Sequence, residues 1–389
     1  MNTFQKCKTH LLLLLIIMAS VDVYGQVAKA EKELEQMMKD MKVVGLSVAV
    51  VKDGAIIYNN AFGLKNIAQN TKLSTDDTFR IASISKSFCA IAIMQLIEAK
   101  KLKLTDNVSD LVGFKVVNPN FPDEVITLKM LLNHTSSIND TAGWGTLNGI
   151  DPAKNKGNNK CYSNYKPGTG YKYCNTNFTL LGVVIERASG LRFDNYIKQN
   201  IVEPLGLKAG YNVDSLDQSK FTSLYEYNTK TDTFTEAPIA YKRSKTWDNY
   251  QLGYSAYSFA PTAGMKISAP DLAKYMMMLM NDGMYQDVRI MSKKSAKLMK
   301  KPTVELSDEE GYAFAIRNIK SPRIIDGDLL VGHTGSLTGL YSAMLYNPKG
   351  KYGFVVISSG SLPDNNEGPS RIRKVLAEGM NILHKNFIK

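Results

Sequence analysis

The sequence predicts an α+β fold in which one antiparallel sheet is built from both ends of the chain. Strand-like runs flank a turn at 52–54 near the start, and similar runs flank a turn at 347–350 near the end. The middle of the chain instead carries apolar residues at helical intervals, with glycine and proline stops. We therefore predict a sheet flanked by helices (residues 26–105 and 262–389) with an inserted, mostly helical lobe (residues 106–261).

The first 25 residues have the pattern of a signal peptide. Basic residues precede the apolar run LLLLLIIMA at 11–19, and small or polar residues follow it. That run is about half of the roughly 20 residues that a membrane-spanning helix needs. We predict cleavage after Gly25 and export to the periplasm or the medium, with an uncleaved anchor as the alternative.

The elements of the mature chain follow from hydrophobic periodicity. An amphipathic helix is expected at 26–41, then a hairpin at 44–63 and a long apolar helix within 79–100. The later segments are helices at 126–137, 175–190, 192–206 and 269–283, strands at 311–319, 328–333 and 340–360, and a last helix at 367–386. Two polar stretches, 143–170 and 225–238, are expected to be loops.

Charge and cysteine content narrow the class of protein. The net charge is +12, and about +11 without residues 1–25. The basic residues are scattered and lack interleaved aromatics, which argues against nucleic-acid binding and suits peripheral association of a monomer with an anionic cell envelope. The four cysteines and four histidines lack metal-ligand spacing, so no metal or other cofactor is predicted. No spacing rule decides whether Cys161 and Cys174 form a disulfide.

A Ser-x-x-Lys motif lies at the start of the long apolar helix. Helix positions i and i+3 share a face, so Ser83 and Lys86 are expected to lie side by side. A serine hydroxyl needs a base to become a nucleophile, and a buried lysine amine can serve. The same spacing recurs at 163–166 in a polar loop with no helix to align it. On this motif alone, a serine that merely caps a helix is the simpler interpretation.

Two further motifs favour a catalytic serine over a helix-capping one. Tyr173-Cys174-Asn175 places a phenol and an amide just before a helix, and a phenol near an ammonium can relay a proton. His333-Thr334-Gly335-Ser336 ends an apolar strand, where a glycine lets a ligand approach the backbone closely.

The three motifs, in this order, resemble the serine β-lactamase and penicillin-binding-protein superfamily. Class C β-lactamases, serine DD-carboxypeptidases and related esterases form the most similar group, and the resemblance covers nearly the whole mature chain. It implies a β-lactamase/transpeptidase-like fold with the site in the cleft between the lobes. The matching blocks are FRIASISKSF, LLNHTSS, PGTGYKYCNTNFTLLGVVIE, TAGMKISAPDLAKYM and GHTGSLTGL.

The resemblance also implies roles for individual residues. Ser83 is the expected nucleophile, and Lys86 and Tyr173 share the proton transfers, with the acylation base left open between them. Asn175 holds the substrate amide or orients Lys86. His333, Thr334 and Gly335 belong to the substrate-binding strand, and the N–H groups of Ser83 and Ser336 form the oxyanion hole.

The sequence departs from the family pattern at two positions. The last motif of β-lactamases begins with lysine, a permanent cation for a substrate carboxylate, and here it begins with His333, which is mostly neutral at pH 7. Relatives usually have glycine at Ser137. The first departure argues against an efficient β-lactamase and favours an amide or ester whose anionic group is absent or held otherwise.

The sequence therefore predicts an exported serine hydrolase that acts through an acyl-Ser83 intermediate on a small-molecule or peptide substrate. DD-peptidase-like and esterase-like activities rank equally, with β-lactamase third. Acyl transfer to an acceptor other than water is an alternative, because an acyl-enzyme reacts with whichever nucleophile reaches it. A non-catalytic, penicillin-binding-type sensor is the alternative from another class, although no Ser, Lys or Tyr is missing from the motifs.

Overall fold

The computed structural model describes residues 25–155, 159–237, 241–242, 245–364 and 372–389. Apart from Gly25, the predicted signal peptide lies outside these residues. Within them, no helix is both long enough and apolar enough to cross a membrane. The predicted α+β architecture is confirmed: a large antiparallel sheet is made from both ends of the chain, and helices lie on its faces.

Most helices begin and end close to where the periodicity places them, but the helix predicted at 126–137 ends at Leu132. In chain order they are α1 (25–40), α2 (Ser85–Glu98), α3 (Val108–Val112), α4 (Leu128–Leu132), α5 (Asn175–Ser189), α6 (Phe193–Ile197), α7 (Ala269–Met280), α8 (Lys293–Lys300) and α9 (Lys374–Phe387). The segment predicted at 192–206 is α6 continued by a wider turn at Lys198–Val202. Helix α9 begins at Lys374, later than the predicted residue 367.

Strands account for both ends of the chain and for several short pairs between them. They are β1 (Gly45–Lys52), β2 (Ala55–Asn66), β3 (Thr71–Lys72), β4 (Phe79–Arg80), β5 (Tyr225–Asn228), β6 (Thr233–Glu236), β7 (Lys266–Ile267), β8 (Met284–Tyr285), β9 (Val288–Arg289), β10 (Val304–Ser307), β11 (Glu310–Tyr312), β12 (Arg317–Ile319), β13 (Leu330–Leu337), β14 (Leu340–Asn347) and β15 (Tyr352–Ser359). The main sheet has the order β10-β11-β12-β13-β14-β15-β1-β2-β3. Its first hairpin turns at Asp53 and Gly54, which both have positive φ, as a two-residue hairpin turn requires.

Two apolar cores cover the two faces of the sheet. On β1, Leu46, Val48 and Val50 face one core, while Ala49 and Val51 face the other. The first core includes residues of α1 and α9, and the second includes residues of α2, α5 and α7. Because both faces are covered, β1 is buried along nearly its whole length, which explains its continuous apolar sequence.

Helix α2 carries the Ser-x-x-Lys lysine and is central to the fold. It is buried on almost every side and packs against α5, α6 and α8. The division of the chain into lobes at residues 105 and 262 stays a prediction. The most extensive contacts of α2 are with α5 and α8. This packing fixes the start of α2 at the junction between the helical layer and β13.

Two segments differ from their predicted structure. Residues 311–319 were expected to form one strand, but they contribute to β11 and β12, which pair with each other in an antiparallel arrangement. Residues 225–238 were expected to form a loop, but β5 and β6 pair in an antiparallel hairpin. Tyr227 and Phe234 are cross-strand partners whose ring centroids lie 5.2 Å apart. Aromatic pairs across a hairpin stabilise it, and the alternation of aromatic and polar residues was the signal for it.

Candidate active site

The structure places Ser83 and Lys86 side by side at the start of α2. Ser83 lies in a tight turn, Ala82–Ile84, that leads directly into the helix. The Lys86 Nζ atom is 3.0 Å from the Ser83 Oγ atom, as the i, i+3 spacing predicts. Ala82 has a φ of +49°, which is unusual for a residue with a Cβ and is a form of backbone strain found at functional sites.

The amine of Lys86 is completely buried and is surrounded by oxygen atoms. Besides Ser83, it contacts the Asn175 side-chain oxygen at 2.8 Å and the Thr262 carbonyl oxygen at 3.0 Å. A neutral amine has two protons and one lone pair. If its protons go to Asn175 and Thr262, the lone pair faces the Ser83 hydroxyl, which is the arrangement that a general base needs.

Tyr173 lies on the other side of this amine. The Lys86 Nζ atom is 5.0 Å from the centroid of the Tyr173 ring. The ring packs against the buried His134 ring, with 4.4 Å between centroids, and lines the same cavity as Ser83. The phenol is therefore held within the catalytic group by aromatic packing.

His134 also helps to hold the segment next to Tyr173 in place. Its Nδ1 atom faces the backbone N–H of Cys174 at 3.2 Å, which fixes the chain next to Tyr173. Burial, together with the nearby Lys86 amine, keeps the pKa of His134 well below its ordinary value. The block LLNHTSS was recognised in the sequence, but nothing in the sequence assigned this support to its histidine.

Asn175 starts helix α5 and is held from behind by Asp140. The Asp140 carboxylate accepts hydrogen bonds from the Asn175 backbone N–H at 2.8 Å and from its side-chain nitrogen at 2.9 Å. It also accepts one from the Thr176 backbone N–H at 2.9 Å. With its nitrogen on Asp140 and its oxygen on Lys86, the Asn175 amide is occupied at both ends. Of its two predicted roles, the geometry favours orienting Lys86 over holding substrate.

Strand β13 forms the opposite wall of the cleft. His333, Thr334 and Ser336 line the cavity, whereas Gly335 packs against the turn that carries Ser83. Strand β12 pairs with β13 only as far as Gly332, so the rest of β13 on that side has no strand neighbour in the described part of the chain. An unpaired strand edge beside the nucleophile can bind an extended substrate through its backbone.

His333 is buried and neutral. Its Nδ1 atom is 2.6 Å from the Thr334 carbonyl oxygen, which can only accept, so Nδ1 carries the proton. Its Nε2 atom is 3.3 Å from the Tyr312 hydroxyl. Burial, with further contributions from Arg317 and Lys86, lowers the pKa of His333 to about 3. This histidine therefore supplies no positive charge to the cleft at neutral pH.

Two arginines that the sequence analysis did not identify line the same cavity. Arg317 pairs with Glu310 at 2.6 Å and donates from Nη1 to the Thr334 hydroxyl at 2.8 Å. Arg373, just before α9, lies 4.8 Å from the centroid of the Tyr341 ring and 3.4 Å from the Ser336 hydroxyl. No pattern in the sequence pointed to either residue, because both reach the cleft only through the folding of distant segments.

The cavity defined by these residues has a volume of about 690 Å³. It is lined by Ser83, Tyr171, Lys172, Tyr173, Leu306, Ser307, Glu310, Tyr312, Arg317, His333, Thr334, Ser336 and Arg373. Within the described residues, no group of three or more His, Cys, Asp or Glu side chains is placed to hold a metal ion. The cavity thus combines a hydroxyl beside a buried amine, a phenol, and guanidinium groups on the wall formed by β13.

Three other sequence observations have structural outcomes. The second Ser-x-x-Lys copy is not assembled, since Lys166 pairs with Glu124 at 2.5 Å on the surface. Ser137 has a φ of +63°, which explains why glycine suits this position. Cys161 and Cys174 are both buried and do not form a disulfide with each other.

Comparison with known proteins gives a consistent assignment. The family model described as Beta-lactamase matches residues 30–377. Protein flp of Staphylococcus aureus is 26% identical over 340 residues, which are 85% of this chain and 62% of that protein. Penicillin-binding protein 4* of Bacillus subtilis is 30% identical over 202 residues, 48% of this chain and 43% of that protein. The chain spans about three fifths or less of the length of these curated relatives.

Solved structures share the fold. The octameric penicillin-binding protein homologue from Pyrococcus abyssi has a TM-score of 0.73 and 26% identity, covering 92% of this chain and 76% of that one. The D-amino acid amidase from Ochrobactrum anthropi has a TM-score of 0.70 at 17% identity, covering 93% and 99%, and its likeness extends to the fold alone. The predicted resemblance is confirmed. The chain belongs to the beta-lactamase family.

Proposed function

We propose that the protein cleaves an amide bond in a peptide-like substrate that carries a free carboxylate, through an acyl-Ser83 intermediate. The observation that carries this proposal is the contact between Arg317 and the Thr334 hydroxyl, in the same cavity as Ser83. A hydroxyl that accepts from a guanidinium can still donate its own proton. Thr334 and Arg317 together therefore suit a carboxylate oxygen.

The chemistry follows from the arrangement of the catalytic group. Lys86, or Tyr173 acting beside it, takes the proton of Ser83 as the hydroxyl oxygen attacks the substrate carbonyl. The carbonyl oxygen becomes negatively charged and is stabilised by the N–H groups of Ser83 and Ser336. The proton then passes to the leaving nitrogen, the C–N bond breaks, and water hydrolyses the acyl-enzyme to restore Ser83.

The charge of the cavity supports the carboxylate. His333 contributes no positive charge, because burial holds its pKa at about 3. Arg317 and Arg373 lie on the β13 wall against the single carboxylate of Glu310 among the lining residues. That leaves a net positive wall, which favours an anionic group on the leaving-group side of the scissile bond. The sequence alone left open whether the substrate lacks an anionic group or has it bound by a residue other than a lysine. In this proposal an arginine binds it.

Relatives are compatible with this substrate class. The curated relatives include a penicillin-binding protein, and the structural neighbours include a D-amino acid amidase and a D-stereospecific amidohydrolase. An esterase-like activity on neutral substrates is the second candidate. It would make no use of Arg317, so the two candidates differ in a measurable way.

The test compares N-acetyl-D-Ala-D-Ala with its C-terminal amide and with a neutral acetyl ester. We expect kcat/KM for the acid to exceed that for the amide by about tenfold or more, the effect of one charge-assisted hydrogen bond. Ser83→Ala must abolish all turnover and all labelling by a fluorophosphonate probe. Equal labelling of Ser83→Ala and wild type would overturn the mechanism.

Variants of the arginine separate the two candidates. Arg317→Gln alone leaves Glu310 buried without its partner, so the double variant E310Q/R317Q is the cleaner test. We expect it to lose the preference for the free acid while keeping activity on the neutral ester. Arg289→Gln, on an exposed strand, is the matched control. Fast turnover of the ester with no effect of E310Q/R317Q would establish the esterase, and new products with added alcohols would identify acyl transfer.

We also propose that the protein is exported and works as a monomer, with its basic surface against the cell envelope. The support is the apolar run at 11–19 and the net charge of +12. Intact mass of the protein recovered from an expressing bacterium tests export. A mass that starts at Gln26 is expected, and a full-length protein in the cytosol would overturn the proposal.

A further inference from the structure

A second cavity lies next to the catalytic one and takes no part in the mechanism above. Its volume is about 310 Å³. It is lined by Arg80, Trp144, Tyr211, Val213, Lys242, Trp247, Ser258, Phe259, Ala260, Gly264, Lys266, Leu337 and Thr338. Arg80 precedes Ser83 by three residues, and Leu337 follows Ser336 directly, so the two cavities share segments of the chain.

Two basic side chains lie next to each other on a pair of strands in this cavity. Strands β4 and β7 pair so that Arg80 lies directly opposite Lys266. Directly opposite residues in an antiparallel pair point to the same face of the sheet, and like charges in this position are destabilising. Lys266 is 5% exposed, so water does little to screen the repulsion.

The partners of these two cations are neutral. Arg80 donates from Nε to the Ala263 carbonyl oxygen at 2.9 Å, and Lys266 donates to the Tyr211 carbonyl oxygen at 2.8 Å. Among the described residues, no carboxylate forms an ion pair with either side chain. Burial and the neighbouring Arg80 lower the pKa of Lys266 to about 7. A buried charge in a protein is normally paired, so the buried Lys266, with the half-buried Arg80 beside it, lacks an anion.

The remaining walls of the cavity are largely aromatic. Trp144, Trp247 and Phe259 line it, and the rings of Trp247 and Phe259 pack with 4.8 Å between centroids. An inorganic anion would leave these apolar surfaces without a partner. A molecule with an anionic end and a small apolar body would contact both kinds of wall.

We propose that this cavity binds a small organic carboxylate, with its anionic end against Arg80 and Lys266 and its apolar body between Trp144 and Trp247. The proposal does not depend on the reaction at Ser83. It predicts that ligand binding and catalysis can be separated by mutation.

Tryptophan fluorescence reports directly on this cavity, because Trp144 and Trp247 are the only two tryptophans of the chain. The experiment titrates phenylacetate into the full-length mature protein and compares it with phenylacetamide, which has the same shape and no charge. We expect saturable quenching by the acid at a concentration about tenfold or more below that needed for the amide. Equal quenching by both compounds, or by neither, would overturn the proposal.

Variants locate the bound carboxylate. Lys266→Gln keeps a donor for the Tyr211 carbonyl oxygen but removes the charge, and we expect about tenfold weaker binding of phenylacetate. Lys266→Met removes both the charge and the donor, and we expect it to weaken the binding of phenylacetate to a similar extent. Circular dichroism should show that each variant is folded. Ser83→Ala and E310Q/R317Q should bind as wild type does. Loss of binding in E310Q/R317Q but not in Lys266→Gln would place the anion in the catalytic cavity instead.

The effect of pH and of inorganic phosphate completes the test. Besides Lys266, the charged or titratable groups around the anion, among the residues that the structure describes, are Arg80, Lys242, Tyr211 and Tyr241, and burial raises the pKa of both tyrosines. Lys266 gains its charge as the pH falls through about 7, so binding should strengthen as the pH is lowered from about 8.5 to about 6 in wild type and not in Lys266→Gln. Inorganic phosphate is tested for its ability to displace phenylacetate. If phosphate binds as tightly as phenylacetate does, the aromatic walls contribute nothing to binding, which contradicts the proposal.

Discussion

A Cβ atom on Gly335 would lie 2.4 Å from the carbonyl oxygen of Ile81. Strand β13 therefore passes so close to the turn carrying Ser83 that no side chain fits between them. The same carbonyl accepts a hydrogen bond from the Ser342 hydroxyl at 2.9 Å, which fixes the turn against the sheet. This contact sets the separation between the nucleophile and the backbone of Ser336.

Gly335→Ala should therefore damage catalysis through geometry alone. The new methyl group must push the turn and β13 apart, because its nearest neighbours include backbone that cannot rotate away. A misplacement of about 1 Å at a reacting group can cost on the order of a hundredfold in rate. The measurement is the rate of Ser83 labelling by a fluorophosphonate. Gly145→Ala is the matched control, since nothing lies within 4 Å of its added Cβ; similar rates for the two variants would contradict this account.

Asp140 should act on catalysis through Asn175. Asp140→Ala removes the acceptor for the N–H groups at the start of α5, so we expect a loss of about 1 kcal/mol in the free energy of unfolding. It also releases the Asn175 amide that holds Lys86, so kcat should fall with little change in KM. Asp140→Asn, which keeps one acceptor, should restore part of the activity.

Ser268→Ala provides the control for this prediction. Ser268 caps α7 in the same way, by accepting from the Asp271 backbone N–H, but α7 does not carry a catalytic residue. Its loss should lower stability and leave kcat unchanged. An equal fall of kcat in the Asp140 and Ser268 variants would show that Asp140 contributes to stability only.

The neutral state of His333 predicts how stability responds to acid. Its pKa is about 3 in the folded protein and about 6.5 in the unfolded chain, so the unfolded state binds the additional proton below pH 6.5. The stabilisation is present above that pH and is lost as the pH falls toward 3. Between about pH 7 and pH 5 the loss from this group is roughly 2 kcal/mol.

His333→Asn should remove that part of the pH dependence. The measurement is urea unfolding of both proteins at the two pH values, and the slope of the wild type should be the steeper. Arg317, Lys86 and Tyr312 face this ring and are present in both proteins, so the difference between the two slopes reports on the histidine. Parallel curves for the two proteins would mean that His333 titrates normally in the fold.

The sequence predicted the elements of the site that depend on local spacing. Ser83 and Lys86 are aligned by a single helical turn, and Tyr173 and Asn175 lie where a helix begins. Arg317 could not be predicted in this way. It reaches Thr334 because β12 pairs with β13 in a register that sets Arg317 opposite Gly332, and that register depends on a connection of ten residues between the strands. Longer-range pairing of this kind leaves no periodic signal.

Asp140 and the hairpin at 225–236 were missed for different reasons. Asp140 caps a helix that begins 35 residues later in the chain, so no capping pattern precedes the helix locally. The hairpin is rich in charged and polar residues, and its aromatic alternation was outweighed by that polarity. In both cases tertiary contacts, rather than local secondary-structure propensity, determine the observed structure.

The two Ser-x-x-Lys copies allow a direct test of what makes a lysine catalytic. Lys86 is completely buried and contacts the Ser83 hydroxyl, whereas Lys166 pairs with Glu124 and its side chain is 51% exposed. Lys86→Met keeps a straight apolar side chain of similar length but removes the amine that accepts the Ser83 proton. Since such a base contributes on the order of a hundredfold or more, we expect fluorophosphonate labelling to slow by at least that factor.

Lys166→Met should label as fast as wild type, and melting curves should show both variants folded. Rapid labelling of Lys86→Met would transfer the role of acylation base to Tyr173, and Tyr173→Phe would then carry the larger defect.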